Sequence, residues 1–377
     1  IRCCSRGFRR RNSETVTRTA KLAGMSLTRR AFAAAAAAIA ATPAAARKGR
    51  RPLVIAHRGA SGERPEHTLA AYRLAIEQGA DFIEPDLVPT KDGHLVARHE
   101  NEISGTTDVA RRPEFADRRA EKVIDGERVT GWFTEDFTLA ELKTLRARER
   151  LPHLRPASAR FDGEETIPTY QEVVDLAKAE SRRLKRTIGT YPEMKHPSYF
   201  QGIGLPLEAR LAEALKANQL DSAEAPVFVQ CFEAEPLKIF RRHSKARRVF
   251  LVGSGPGPAE TMLTPDGLKE VATFAEGLGP EWSLVVPVVE DTLGIPSHLV
   301  EAAHAAGLLV HPWTVRAENA FLPPALRKPG GPAAHGHVDV LLNALLCERV
   351  DGLFSDSPRL AVSARNKGCV YVQEDRS

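Results

Sequence analysis

The chain has 377 residues, with 53 Lys+Arg against 48 Asp+Glu, a formal charge of +5, and 42% hydrophobic residues. The excess charge is local: residues 1–46 hold nine Lys/Arg against Glu14 alone, +8, which leaves −3 for the other 331. After residue 46 no basic stripe interleaved with aromatics occurs, so nucleic-acid binding is excluded as an expectation, and the length suffices for one large core.

The amino-terminal segment reads as an export leader. Thr28-Arg29-Arg30-Ala31-Phe32 resembles the twin-arginine signal, the alanine run to Ala46 is a weak apolar region, and "AAA" before Arg47 suits cleavage. With Met25 as the start, residues 1–24 would not be translated. The run contains Pro43 and is too short and weakly apolar for a span of roughly 20 residues. The expectation is an exported protein, periplasmic or extracellular, without stable membrane insertion. A basic tail on a cytoplasmic protein is the alternative. Residues 47–377 are expected to form a single domain. They contain Cys231, Cys347 and Cys369 without CxxC spacing, so free buried thiols are favoured over a Cys347–Cys369 bridge.

In chain order the strand candidates are "LVIAH", "FIEPDL", "LVARH", "RTIGTYPEMK", "PVFVQCF", "RRVFLV", "LLVHPWTV" and "DGLFSD". Between most of them lie segments such as "TLAAYRLAIEQGA", with apolar residues at three and four spacing, Thr68 as N-cap and Gly79 as C-cap. Apolar strands alternating with amphipathic helices predict an α/β fold with a parallel sheet. No glycine-rich dinucleotide turn follows the first strand, so a closed (β/α)8 TIM barrel outranks a doubly wound sheet. The pattern lapses over about 101–166, which reads as an insertion with one helix around "TLAELKTLRA".

A barrel gathers the carboxyl ends of its strands on one face, and polar residues cluster at those ends. His57 ends "LVIAH" and His99 ends "LVARH"; Glu84 and Asp86 stand two apart in "FIEPDL", as Glu193 and Lys195 do in "TYPEMK". Residues two apart share a side of a strand. Three carboxylates around one centre are costly unless a cation neutralises them, and an all-oxygen set suits a hard divalent ion, calcium or magnesium. With Lys91-Asp92-Gly93 as a tight turn, Glu84 is expected roughly opposite His99.

The pieces "HRGASGERPEHT", "AIEQGADFIEPDLVPTKDGHLVARHE", "TDVA", "DFTLAELKTL", "IPTYQEVVDLAK", "IGTYPEMKHP", "VQCFEAEPLK", "HPWTVR" and "GLFSDSP" occur between Leu53 and Pro358. In kind and order they resemble the glycerophosphodiester phosphodiesterase family, and more closely its periplasmic bacterial type. The resemblance implies a (β/α)8 barrel with a small insertion after the second catalytic histidine, and hydrolysis of deacylated phospholipids to glycerol 3-phosphate and an alcohol. It implies that His57 and His99 are the acid-base pair, that Glu84, Asp86 and Glu193 hold one divalent cation, calcium ahead of magnesium, and that Arg58 and Lys195 contact the phosphate. Gln230, Phe232 and Trp313 are expected on the substrate side of the pocket.

The chemistry asks for these types: a phosphodiester anion with an alkoxide leaving group needs charge neutralisation, an activated oxygen and a proton donor. Which imidazole is base and which acid stays open, as do the attacking oxygen and the oligomeric state. His99-Glu100 stands where the family commonly has His-Asp, so the extra methylene is expected to displace that acid's hydrogen bond. A phospholipase D-like barrel acting on intact lipid would call for an exposed apolar loop, and "ARRPEFADRRAEK" offers little. A non-catalytic exported binding protein would not need both histidines and all three acids.

Overall fold

A computed structural model describes residues 51–255 and 257–370. The leader expected over residues 1–46 lies outside them. β1 (Leu53–His57), β2 (Phe82–Glu84) and β3 (Asp86–Pro89) begin the sheet, and β4 (Leu95–Ala97) folds back antiparallel on β3, Leu87 facing Ala97. Hairpin strands β5 (Ala120–Ile124) and β6 (Glu127–Gly131) stand apart from it. The sheet resumes with β7 (Gly189–Thr190), β8 (Glu193–Met194), β9 (Phe228–Cys231), β10 (Arg247–Val252) and β11 (Gly277–Pro280). After a short outer hairpin, β12 (Val288–Val289) with β13 (Thr292–Leu293), come β14 (Leu309–Val310) and β15 (Gly352–Ser355).

Pro85 and Pro192 lack a backbone N–H and divide two long strands into β2/β3 and β7/β8. Counting each broken strand once, the parallel neighbours run β15, β1, β2/β3, β7/β8, β9, β10, β11, β14. The seam between β14 and β15 closes through Phe354 N–H to the Pro312 carbonyl and Val315 N–H to the Phe354 carbonyl, each 2.9 Å. The fold is a (β/α)8 TIM barrel. Its interior is packed by Ile55, Phe82, Tyr191, Phe228, Val249 and Phe354. Tyr191 stacks on Phe228 at 5.1 Å and meets Phe354 edge-on at 5.0 Å.

The helices lie outside. α1 (Leu69–Glu77) starts at Thr68, whose hydroxyl accepts from Ala71 N–H, and Gly79 just beyond its cap Gln78 has φ +94°. α2 (Leu139–Leu142) is one turn with a Thr138/Glu141 capping box, shorter than the helix expected in the insertion. α3 (Tyr170–Leu184) carries a Thr169/Glu172 box. α4 (Pro197–Gly202), α5 (Leu207–Ala217) and α6 (Ala234–His243) follow. Their apolar faces, with Tyr72, Val173, Leu211 and Leu237 among them, are buried against the barrel; each fully buried Leu contributes about 2 kcal/mol.

Three sequence expectations are corrected. "LVARH" is not a barrel strand but the antiparallel return of β3. The eighth barrel strand is instead Gly277–Pro280, whose glycines hide it from an apolar pattern. They are required by space: a Cβ on Gly279 would lie 2.5 Å from Leu251 Cδ2, and one on Gly277 3.1 Å from Val249 Cγ2. Cys347 and Cys369 are disulfide-bonded, and only Cys231 among the described cysteines is a free buried thiol.

Candidate active site

β1 delivers His57, and the next two residues turn sharply, Arg58 at φ +58° and Gly59 at φ +87°. Glycine is needed there, because a Cβ would stand 2.7 Å from the Ala71 carbonyl carbon of α1. The turn brings Arg58 N–H to Glu84 Oε2 at 2.7 Å and its guanidinium to Glu66 (3.1 Å) and Asp86 (3.3 Å).

His57 Nδ1 is 2.5 Å from Asp356 Oδ1. The other oxygen of Asp356 accepts from Arg155 at 2.5 Å and Arg316 at 3.1 Å, and Arg155 also reaches Glu318 at 2.6 Å. Burial, helped by Arg58, pushes the His57 imidazole down to about 4 against the pull of Asp356. Burial also opposes the charge of Asp356, but Arg155, Arg316 and His57 outweigh it and hold the carboxyl well below its usual range. A neutral His57 that donates from Nδ1 keeps Nε2 as an acceptor.

Glu84, Asp86 and Glu193 are all buried and can each point one oxygen so that the three lie within 4.8 Å of one another. Neighbouring residues orient every one of them: Gln230 Nε2 donates to Glu84 at 3.1 Å, His67 Nε2 is 2.9 Å from Asp86, and Lys195 is 3.0 Å from Glu193. His67 is held in turn by Tyr72 at 2.8 Å. Burial, then repulsion from Asp86 and Glu193, raises Glu84 well above the usual carboxylate range, and burial lifts Glu193 to about 8. Burial works on Asp86 too, yet Lys195, His67 and Arg58 keep it low. Three such carboxylates, with the buried Gln230 Oε1 left without a donor beside Glu84, fit a hard divalent cation.

His99 follows β4. Its Nδ1 is 2.7 Å from Glu100 Oε1 and its Nε2 3.3 Å from Lys195 Nζ. Burial and the cations Arg58 and Lys195 push it down to about 3. The expected register of Glu84 opposite His99 is corrected: Glu84 pairs with His57 across β1 and β2, because Pro85 breaks the strand and β4 pairs only with the part beyond it. His99 arrives beside Lys195 instead.

A cavity of about 390 Å³ adjoins these groups, lined by Glu193, Lys195, His196, Phe232, Glu233 and Asp125 among others. Phe232 is 40% exposed and meets Trp313 edge-on at 5.3 Å. Gln230, expected as a substrate contact, is buried and donates to Glu84. A larger cavity of about 520 Å³ beside α3 contains none of these residues.

Sequence reasoning missed Asp356, Arg155, Arg316 and His67 as supports. Asp356 stood in view, one residue past a barrel strand end, where barrels place functional groups. Arg155 sits inside the insertion and carries no local signal.

The family model for the glycerophosphoryl diester phosphodiesterase family matches residues 57–360, and the chain belongs to that family. It is an enzyme, a phosphoric diester hydrolase of the glycerophosphodiester phosphodiesterase class. The chain is 36% identical to glycerophosphodiester phosphodiesterase GDPD6 of Arabidopsis thaliana over 330 residues, 81% of this chain and 84% of the relative. It is 27% identical to the glycerophosphodiester phosphodiesterase of Haemophilus influenzae, covering 82% and 88%. A phosphodiesterase from Oleispira antarctica, solved with the product sn-glycerol-3-phosphate, shares the fold with a TM-score of 0.55 at 22% identity, covering 84% of this chain and 97% of that one.

Proposed function

We propose that this enzyme hydrolyses glycerophosphodiesters to glycerol 3-phosphate and an alcohol, with His57 and His99 as its general acid-base pair. The observation that carries this reading is the matched anchoring of the two imidazoles. Each is fixed through Nδ1 by a carboxylate, Asp356 or Glu100, which leaves Nε2 to exchange a proton; that of His99 lies 3.3 Å from Lys195, the partner of Glu193. An imidazole oriented in this way accepts or delivers a proton at a set atom.

Glu84, Asp86 and Glu193 would hold one divalent cation, calcium in preference to magnesium. When bound, it supplies positive charge to the phosphate oxygens. Arg58 and Lys195 add charge on the same side, although Arg58 is already tied to Glu66 and Asp86. Phe232 and Trp313 would line the side that receives the alcohol, and Gln230 would contact either the substrate or the cation's ligand shell through its free Oε1. The longer side chain of Glu100 still brings Oε1 to 2.7 Å from His99 Nδ1. Glycerophosphocholine with calcium should yield glycerol 3-phosphate, and excess chelator should stop it. Full activity in chelator, or no glycerol 3-phosphate at all, would refute the reading.

The periplasmic or extracellular location is part of the same proposal. The Cys347–Cys369 bridge supports it, since disulfides persist in oxidising compartments. Among the described residues no helix is long and apolar enough to cross a membrane. Changing Arg29 and Arg30 to Lys should abolish export; processed protein outside the cytoplasm in that variant would refute the twin-arginine route.

A further inference from the structure

The insertion touches the site through a chain of charged hydrogen bonds. The turn between β5 and β6 is Asp125-Gly126, at φ +49° and +86°, the paired left-handed backbone of a two-residue hairpin loop. It presents Asp125 Oδ2 at 2.6 Å from Nδ1 of His196. The other nitrogen of that ring lies 2.8 Å from Glu100 Oε2, and Glu100 Oε1 lies 2.7 Å from His99 Nδ1. Both nitrogens of His196 therefore face carboxylates, which a doubly protonated ring satisfies. Burial opposes its charge, but Glu100 and Asp125 raise it.

We propose that Glu100 and His196 are positioning residues for His99, and that the insertion hairpin completes the acid-base site by docking Asp125 on His196. The inference rests on the reading of His99 as an acid-base group. The two imidazoles differ in what holds their carboxylates. The Asp356 side chain is 2% exposed and locked by Arg155 and Arg316. The Glu100 side chain is 48% exposed, and besides His99 its side-chain partner among the described residues is His196. A half-exposed glutamate has several rotamers to lose, so its grip on His99 depends on His196.

His196 cannot hold that position by its backbone alone. It adopts φ +46°, ψ +42° directly before Pro197, a left-handed conformation uncommon for a residue with a side chain. Its two ring bonds, to Glu100 and Asp125, offset that cost. Asp125 comes from a hairpin that is itself anchored, by the buried Ile124 and by Lys122 bonding Glu135 at 2.9 Å and Asp136 at 2.8 Å. Asp125 and His196 also line the cavity that holds Lys195 and Phe232, so the docked tip contributes to the pocket as well as to the contact chain that ends on His99.

The test is steady-state kinetics on glycerophosphocholine with calcium. His196→Ala and Asp125→Ala should each lower kcat about tenfold, the low end for loss of an orienting partner, with KM and Tm close to the parent's. Asp125→Asn, which keeps an acceptor for His196 Nδ1, should recover most of the rate. Because the links act in series, Asp125→Ala/His196→Ala should be no slower than His196→Ala. An active parent with unchanged kcat in His196→Ala would overturn the positioning role alone. So would a loss that Asp125→Asn does not rescue and that a lower Tm accompanies. Parent-like activity in His99→Ala would overturn the underlying reading as well.

Discussion

His57 and Asp356 are 299 residues apart in sequence and 2.5 Å apart in space. The pairing of the first and last strands brings them together: β1 lies beside β15 in register, Ala56 beside Ser355, so the next residue of each, His57 and Asp356, stands next to the other. Pairing β1 with β15 and orienting the first imidazole are one event, and Arg155 from the insertion adds a third point of attachment through Ser61 and Asp356.

Asp356→Asn should lower kcat by about 10²-fold or more, since an amide lets the imidazole take the wrong tautomer. Combined with His57→Ala the losses should not add, because both remove one function. Additive losses in the double variant would show that Asp356 acts elsewhere.

His67 is buried between Tyr72 and Asp86, at 2.8 and 2.9 Å, and fixes the direction of a carboxylate placed to hold the cation. His67→Phe removes both bonds at nearly constant bulk. It should weaken calcium binding by about 10-fold to 100-fold, the usual cost of losing an orienting partner, as calorimetric titration would measure. Undiminished affinity would mean that Asp86 needs no such support.

The candidate site residues were expected where a strand end announced them. His57, Glu84, His99 and Glu193 follow or lie within apolar runs, and the barrel rule places such ends on one face. What lay out of reach depends on space. Gly277 and Gly279 are glycines within a strand because Val249 and Leu251 leave no room for a side chain beside them, and glycine carries no periodic signal. The Asp125-Gly126 turn had a readable dipeptide, but of the flanking "AEKVI" and "ERVTG" only Ile124 and Gly131 are buried and the charges mask the alternation. The Cys347–Cys369 bridge depends on the last segment returning to helix Val338–Cys347, where Val370 N–H also reaches Asn343 at 2.9 Å.

That bridge closes a loop of separation 22, for which chain entropy gives about 3 kcal/mol as an upper figure. Cys347→Ser/Cys369→Ser should melt a few degrees lower while keeping kcat and KM, since neither residue touches the site. Lost activity at a temperature where the variant is folded would contradict this.

Acid should destabilise the fold in a defined window. Burial lowers His57 to about 4, His99 to about 3 and His311 to about 4, against about 6.5 in the unfolded chain. Between pH 6.5 and those values the unfolded state binds more protons, so stability is full above pH 6.5 and falls as pH drops toward 4. His311 isolates the effect from catalysis: it packs inside the barrel on Phe228 and Tyr191, bonds the Tyr191 hydroxyl at 2.7 Å, and has a buried Nε2 without a partner. Its share is on the order of 3 kcal/mol. In urea unfolding across pH 4–7, His311→Gln should flatten the slope; an unchanged slope would remove His311 as a source.

Calcium uptake should release protons. In the ion-free site burial and like charges raise Glu84 well above the carboxylate range and lift Glu193 to about 8, while Lys195, His67 and Arg58 keep Asp86 charged. At neutral pH the Glu84/Glu193 pair therefore retains protonation that a cation must displace before all three oxygens can serve it. Affinity for calcium should fall as pH drops below about 8, and calorimetry in two buffers of different ionisation enthalpy should report protons released per ion bound. Glu84→Gln and Glu193→Gln should each weaken binding and release fewer protons. Binding to the folded state alone also raises Tm with calcium concentration, an effect that either amide variant should blunt. Calcium affinity independent of pH between 6 and 8, with no proton release, would show that these carboxylates do not form its site.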